Sequence, residues 1–582
     1  MNRRARLGLV AAVAALLWAG IARADNALQD ARSAVEAREF ARALPLYEAL
    51  LREQPGNADL LIETARVYAF ADRHREAIAT YERVLVAAPA RRRDVVAALA
   101  WQTLWAGDAP ASLPLFAEAR SVTGEPQALS DLWRGTGEAC AATGDLACTL
   151  DAYQRALALT PQDKNLRRRI ATVWLWQDEF AQSEAAWRAL LAEDPGDQRA
   201  RAGLARTLNA AGRHNEAIVL YRGLGGQGGD GDIGLDHARA LRWAGYDAAA
   251  HALLQGRSDP DAVWLRDWRA GRELRTYAYA TTEYSADADE LDLGSITAAA
   301  GTPIAPGWVI EAGYRYVNLD DPQAQVSGSR VFGTLRGLIG TPGEAPPGLV
   351  VPLLSLGVND YAGWRPVTGS ASLRWLPADL WRLTLDLGRE VVETPEAIDH
   401  RITADTVALG AEVRLPPRWT LAAAISGLAF SDGNDRRRIS GRVDYAVKLG
   451  QPRVVIGVDG AAFNDSLPAS FATPLPPNTL PPAGYWNPLR YAEGRVFAGI
   501  YSEPQPWEWY GRVALGISRE TDGDGNTTDG HPNLLEVGIA RDIGPSLRWR
   551  LYAGGSGSSF AVGNGGAGYW RRYIGFTING WF

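Results

Sequence analysis

The chain has 582 residues, room for two or three domains, and its charge is balanced, with 60 Lys+Arg against 67 Asp+Glu, which gives no support to nucleic-acid binding over a broad surface. Two cysteines, six histidines and one methionine exclude a disulfide-stapled mini-protein, a cysteine-rich zinc fold and a Met-rich adaptable groove. Lysine occurs only at Lys164 and Lys448, so arginine carries nearly all the positive charge.

Arg3, Arg4 and Arg6 precede an apolar run from Leu7 to Ile21, and Ala22-Arg23-Ala24 stands before Asp25. A basic start, a short apolar stretch and an A-x-A end predict a secretory signal peptide over residues 1–24. The run is short for a membrane span, which disfavours an uncleaved anchor. The chain beyond Ala24 is therefore expected outside the cytoplasm.

Residues 25–270 repeat. Aromatic residues recur at Tyr47, Tyr81, Phe116, Tyr153, Trp187 and Tyr221, spaced by 34 to 37. Four residues before each stands a small side chain: Ala43, Ala77, Ser112, Thr149, Ser183 and Ala217. Pro55, Pro89, Pro161 and Pro195 come eight residues after four of the aromatics. The small residue lets two helices approach, the aromatic fills the groove to the next pair, and proline ends the second helix. This is the period of tetratricopeptide repeats, and it predicts an α-solenoid of about six repeats and a decayed seventh. Ala106-Gly107-Asp108, Thr143-Gly144-Asp145, Ala211-Gly212-Arg213 and Ala244-Gly245-Tyr246 mark the turns. Trp101, Trp105, Trp174 and Trp176 fall on first helices, where they either stack on a polymer or partner or fill the inter-repeat packing. Cys140 and Cys148 lie on the two helices of one repeat, as a local disulfide or as two separate buried thiols. Gly225-Gly226-Gln227-Gly228-Gly229 stands in a repeat turn with no strand before it, so it is read as a loop rather than a phosphate cradle.

From 271 to 582 the period changes from 3.6 to 2. Trp381, Leu383, Leu385 and Leu387 alternate with Arg382, Thr384, Asp386 and Gly388; Ile439, Val443, Tyr445 and Val447 alternate with Arg438, Arg442, Asp444 and Ala446. Sixteen such strands can be marked, the first near Arg272 and the last near Tyr569. The connections after even strands are short and rich in Pro or Gly (Thr302-Pro303, Leu376-Pro377, Pro416-Pro417, Gly450-Gln451-Pro452, Gly544-Pro545), except Gly340 to Gly348. Those after odd strands include the longest, Asn464 to Pro488. Tryptophans sit at strand ends, and Ile574, Phe576 and Ile578 alternate towards the terminal Phe582. Length, parity and girdle predict a sixteen-stranded antiparallel transmembrane β-barrel rather than a soluble sandwich. The polar phase then lines a lumen, and Arg442, Asp444, Arg495, Arg512, Arg548 and Arg550 are the candidate contacts for whatever passes. Both charge signs occur there, and mutual pairing that merely keeps the lumen wet is the competing reading. Asn464 to Pro488, with six prolines before Asn487-Pro488, is a candidate plug or lid.

No Ser, His and acid set sits at motif spacing, and Asp522-Gly523-Asp524-Gly525-Asn526 lacks the later glycine and glutamate of a calcium loop. No enzyme activity, cofactor or metal is expected.

Signal peptide, periplasmic repeats and C-terminal barrel together resemble the exopolysaccharide export porins, which include the poly-N-acetylglucosamine exporter and the C-subunit of cellulose synthase operons. Leu104-Trp105-Ala106-Gly107-Asp108 is similar to a repeat turn of the first. Gly484-Tyr485-Trp486-Asn487-Pro488, opening a strand, is similar to a barrel segment of the second. The resemblance implies location in the outer membrane of a Gram-negative bacterium. It also implies an exopolysaccharide cargo, and a synthase or modifying proteins as partners of the periplasmic repeats. The first family has an acidic lumen and both carry more repeats, and this chain departs from them in each respect. A protein translocator for surface lipoproteins shares the repeats-plus-barrel plan with fewer strands and is the alternative.

Overall fold

The computed structural model describes residues 26–224, 232–344, 348–503, 506–557 and 563–582; the signal segment 1–24 and the glycine run at 225–229 lie outside them. The chain divides into two compact units, one ending at Pro195 and one from Gly196 to Phe582.

The first unit is built of helix pairs. Its helices are α1 (residues 26–36), α2 (Phe40–Glu53), α3 (Ala58–Phe70), α4 (His74–Ala87), α5 (Arg92–Trp105), α6 (Ala109–Val122), α7 (Pro126–Ala142), α8 (Leu146–Leu159), α9 (Lys164–Trp176) and α10 (Phe180–Glu193). The aromatics at the repeat period stand on second helices and are buried, Phe116 completely, and the small residue four places earlier is 0% exposed in every repeat. Asn57, Asp108, Asp145 and Asp163 cap first or second helices by accepting from backbone N–H groups. Gly135 and Gly137 on α7 make room for aromatic rings of neighbouring helices. A Cβ at either would stand 2.4 Å from Phe116 or Tyr153.

The second unit opens with two more helix pairs, α11 (Gln198–Ala210) with α12 (His214–Arg222), and α13 (Ile233–Trp243) with the shortened α14 (Asp247–Leu253). The solenoid pattern thus runs into the unit that holds the barrel. Short helical turns carry the chain to Leu274.

Seventeen strands come next among the described residues: β1 (Tyr277–Asp287), β2 (Asp292–Ala305), β3 (Trp308–Asp320), β4 (Gln325–Gly337), β5 (Leu349–Tyr361) and β6 (Val367–Leu376). They continue with β7 (Trp381–Val391), β8 (Thr403–Leu415), β9 (Trp419–Phe430), β10 (Asp435–Lys448), β11 (Arg453–Asp465) and β12 (Arg490–Ser502). The last are β13 (Trp507–Thr521), β14 (Thr527–Gly530), β15 (Leu534–Ile543), β16 (Leu547–Ser556) and β17 (Arg571–Trp581). Each long strand pairs antiparallel with its neighbours, and β1 pairs with β17 from Tyr277↔Trp581 to Asp287↔Arg571, which closes the sheet. Four-residue β14 only extends the β13 hairpin, and β13 also pairs with β15, so sixteen staves form the wall.

Three details differ from the sequence expectation. Arg272 lies in a 3-10 turn and the first strand starts at Tyr277. Thr302-Pro303 lies inside β2, and the turn falls at 306–307. Gly484 to Pro488 does not open a strand; it belongs to the loop before β12.

The two faces of the wall are chemically distinct. Ile296, Val331, Leu409, Ile425, Val496 and Leu515 are at least half exposed on the outside, which only a hydrocarbon surround makes favourable over so many strands. Seven tryptophans (308, 375, 381, 419, 507, 509 and 549) stand on this outer phase at the end where the chain enters the barrel, as an interfacial ring does. Trp581 departs from them: it shares the inward phase with Tyr277 and lies 4.2 Å under the Arg272 guanidinium. A closed barrel, apolar outside and polar inside, leaves no backbone group unpaired in lipid, so the second unit spans a membrane with its strands.

Candidate functional site

The site is the barrel lumen, bounded by an entry end, where the helices join, and a far end.

At the entry end the helices of the second unit are fastened to turns between strands. Asn215 at the start of α12 donates its backbone N–H and side-chain Nδ2 to the two oxygens of Asp379, each at 2.8 Å. Its Oδ1 accepts from the Gly343 N–H at 2.8 Å. Arg222 donates to the Pro342 carbonyl and the Tyr246 hydroxyl to the Thr341 carbonyl. The connection from Gly340 to Gly348 breaks the short-turn rule for this reason: it is the seat of α12 and α14. Burial raises the Asp379 carboxyl and pulls His214 down to about 4, with Arg414 adding to the second effect. Arg272 locks the final turn: it donates to Asp542 at 2.6 Å and to the carbonyls of Gly544 and Pro545.

Midway, the wall formed by β6 to β13 carries a cavity of about 510 Å3. Arg374, Arg382, Arg438, Arg442, Arg495 and Arg512 line it, with Glu412, Asp459 and Glu493. Arg495 and Arg512 share Asp459 at 2.7 and 2.9 Å; Arg442 takes Asp444 at 2.6 Å. The guanidinium groups of Arg442 and Arg512 both lie over the ring of Phe497, at 4.9 and 4.6 Å from its centre. The opposite wall, from β15 through β17 to β3, uses phenols. Tyr552 donates to Glu283 and Tyr277 to Glu311, each at 2.7 Å, and Tyr573 donates to Glu536. Arg548 pairs with Glu508, while Arg550 donates to the Tyr510 hydroxyl at 3.2 Å.

All six sequence candidates thus lie on the inward phase. Arg442, Arg495 and Arg512 come together on one wall, while Arg548 and Arg550 stand on β16, apart from that group. Phe497 and the phenol–carboxylate wall were missed. The signal for Phe497 was present, because it sits in phase with Arg495 and Tyr501.

At the far end two inward-turned segments pack against apolar residues of the inner wall. A short helix, α15 (Pro395–Asp399), places Ala397 with Val392, Ile402, Phe430 and Tyr485, and Ile398 with Val317, Leu319 and Tyr361. The loop of residues 466–489 reaches over this helix. Thr394 donates to the Gly484 carbonyl, Tyr485 stacks on Phe430 at 4.5 Å, and its hydroxyl donates to Asp432 at 2.7 Å. Trp486 donates its N–H to the Gly563 carbonyl and its Nε1 to Glu520. The same tryptophan's carbonyl accepts from Arg436, which with Asp465 forms an ion pair whose two side chains are 0% exposed. One loop is therefore tied to the segments following β7, β9, β13 and β16, and it crosses the far mouth. Asp522 uses its carboxylate on the N–H groups of Asp524 and Asn526, which forms the turn between β13 and β14.

In the first unit the four candidate tryptophans separate into two kinds. Trp101 meets Phe116 edge-on at 5.1 Å, and Trp174 packs on the Tyr153–Ile170 cluster. Trp105 and Trp176 are 53% and 55% exposed. Each ends a first helix, as does the exposed Phe70. Phe40 stacks on Phe70 and His74 lies against Trp105, both at 5.9 Å. In the second unit His214 meets the exposed Trp243 in the same way at 5.7 Å. A disulfide joins Cys140 on α7 to Cys148 on α8.

Residues 34–101 and 176–232 match tetratricopeptide-repeat family models. No curated protein matches the sequence. Among solved structures, one described as a bacterial polysaccharide outer membrane secretin is 12% identical, with a TM-score of 0.41 over 53% of this chain and 99% of that one. A tetratricopeptide repeat protein from Parabacteroides merdae is 13% identical, with a TM-score of 0.36 over 42% of this chain and 97% of that one. The molecule joins tetratricopeptide repeats to a closed sixteen-stranded antiparallel barrel.

Proposed function

We propose that this protein exports an exopolysaccharide across the outer membrane of a Gram-negative bacterium, with its repeats in the periplasm and its barrel as the passage. Transport rather than catalysis is its task. The observation that carries the reading is the lumen: a membrane-spanning barrel whose interior presents guanidinium and phenol groups at many separate stations. Such groups hydrogen-bond sugar hydroxyls and stack on ring faces. Each such hydrogen bond contributes a net of about 0.5–1.5 kcal/mol, strong enough to replace water and weak enough to let go. A chain held this way slides when synthesis pushes it. The exposed rings ending first helices, Trp105 and Trp176, offer the same chemistry to the polymer. The remaining solenoid surface suits the synthase or enzymes that modify the glycan.

A clean deletion strain tests this. Sugar analysis of periplasmic and culture fractions is expected to show glycan accumulating inside and falling outside. Unchanged glycan, with loss of a lipoprotein from the cell surface, would replace export of sugar by translocation of protein.

A further inference from the structure

Charge in the lumen is not evenly spread. On the β6–β13 wall one cavity gathers six arginines against three lining carboxylates, with Asp444 beside it as the partner of Arg442. Arg495 and Arg512 divide a single carboxylate, Asp459. Arg382 reaches Glu412 at 3.3 Å with one nitrogen, while its Nε and that of Arg512 are buried without an acceptor. The guanidinium groups of Arg374 and Arg438 make no side-chain hydrogen bond or close ion pair among the described residues, and Glu493 is the carboxylate that acts on the charge of Arg438. The opposite wall is mixed: Glu311 and Glu536 accept from phenols, which leaves their negative charge in place, and Arg548, Arg550 and Arg571 stand among them. A guanidinium surplus on one wall, partly desolvated and short of acceptors, is the recognition chemistry of carboxylate and phosphate groups.

We infer that the polymer passing through this barrel is anionic, and that its acid groups travel along the wall carrying Arg374, Arg382, Arg438, Arg442, Arg495 and Arg512. The inference rests on the export reading and adds the chemical class of the glycan. Acidic sugars and acidic substituents on neutral sugars present the same group to the wall. Arg374, and Arg438 with Glu493 as its carboxylate neighbour in the cavity, act as stepping points, while the paired arginines keep the wall from holding any one acid too firmly. A neutral chain would offer these donors hydroxyl oxygens without the charge that strengthens the contact, and a basic chain would be repelled by them.

The test has two arms. In the first, the glycan whose external yield depends on this protein is purified and its acidic sugars and substituents are quantified. An acidic glycan is expected; a neutral or basic one overturns the inference and leaves export standing, whereas no dependent glycan overturns both. In the second, Arg374→Gln and Arg438→Gln are combined in the chromosomal copy. External glycan is expected to fall roughly tenfold, the factor that loss of two charge-assisted contacts of modest strength gives. The amount of barrel in the outer membrane and its heat-modified mobility on gels are expected to stay unchanged. Full export by a normally assembled double variant would overturn the role assigned to the wall.

Discussion

Arg436 and Asp465 show how a single pair can fix a mouth. Both side chains are shut from solvent, and the guanidinium lies among the rings of Phe430, Phe463 and Trp486. Removing one partner strands the other charge in an apolar shell, which costs about 3–5 kcal/mol. Arg436→Met is therefore expected to lower the temperature at which the barrel unfolds in detergent, and pairing it with Asp465→Leu to recover most of the loss. Melting of the two variants by heat-modified gel mobility decides the point. Asp247 at the head of α14 offers a second case, this one set by pH. Burial pushes its carboxyl up to about 6, against the pull of Arg242 at 3.8 Å. An acid raised in the folded state is penalised whenever it is ionised. The penalty is complete above about pH 6 and disappears as pH falls towards the ordinary carboxylate range. Amides of α14 should thus exchange more slowly at pH 5 than the intrinsic rate predicts from pH 7, and Asp247→Asn should abolish that difference. At this scale the sequence was legible in part: alternation put Arg442 and Arg512 inside, but not over the same ring, because that depends on the order and register of strands β10 to β13 in the closed sheet.

Connections between elements carry most of what the pattern left open. Strand starts read from alternation agree closely with the wall, since period and turn chemistry are local. Gly340 to Gly348 is long because two helices rest on it, a contact between parts of the chain more than a hundred residues apart. The loop of residues 466–489 was recognisable by length and proline content, yet its route over α15 depends on the apolar inner surface it meets. Crossing the far mouth as it does, it should limit ion flow. Replacing it by a short linker from Asp465 to Arg490 is expected to raise single-channel conductance several-fold in planar bilayers. Equal conductance would mean the constriction lies elsewhere.

For the molecule as a whole, the repeat period continues in sequence past Pro195, where the first unit ends. The repeat aromatics of the first unit from Tyr47 to Tyr153 each have a following helix pair within that unit and are buried. Residues 26–195 alone are accordingly expected to give a helical fragment with a cooperative melt by circular dichroism. Extending it to Gly271 adds α11 to α14 without the turns that satisfy Asn215, Arg222 and Tyr246. The added helices should exchange their amides rapidly in that longer fragment and slowly in the full chain. Slow exchange in both would show that the barrel is not needed to order them.

The sequence by itself determined the solenoid, the sixteen staves and which phase of each strand faces inward, because these depend on side-chain periodicity within a few residues. Only the tertiary structure decided where the lumen's charge collects, how the far mouth is crossed and which repeats belong to the barrel. Those result from closing the sheet, which sets strands far apart in sequence side by side and turns scattered arginines into one wall.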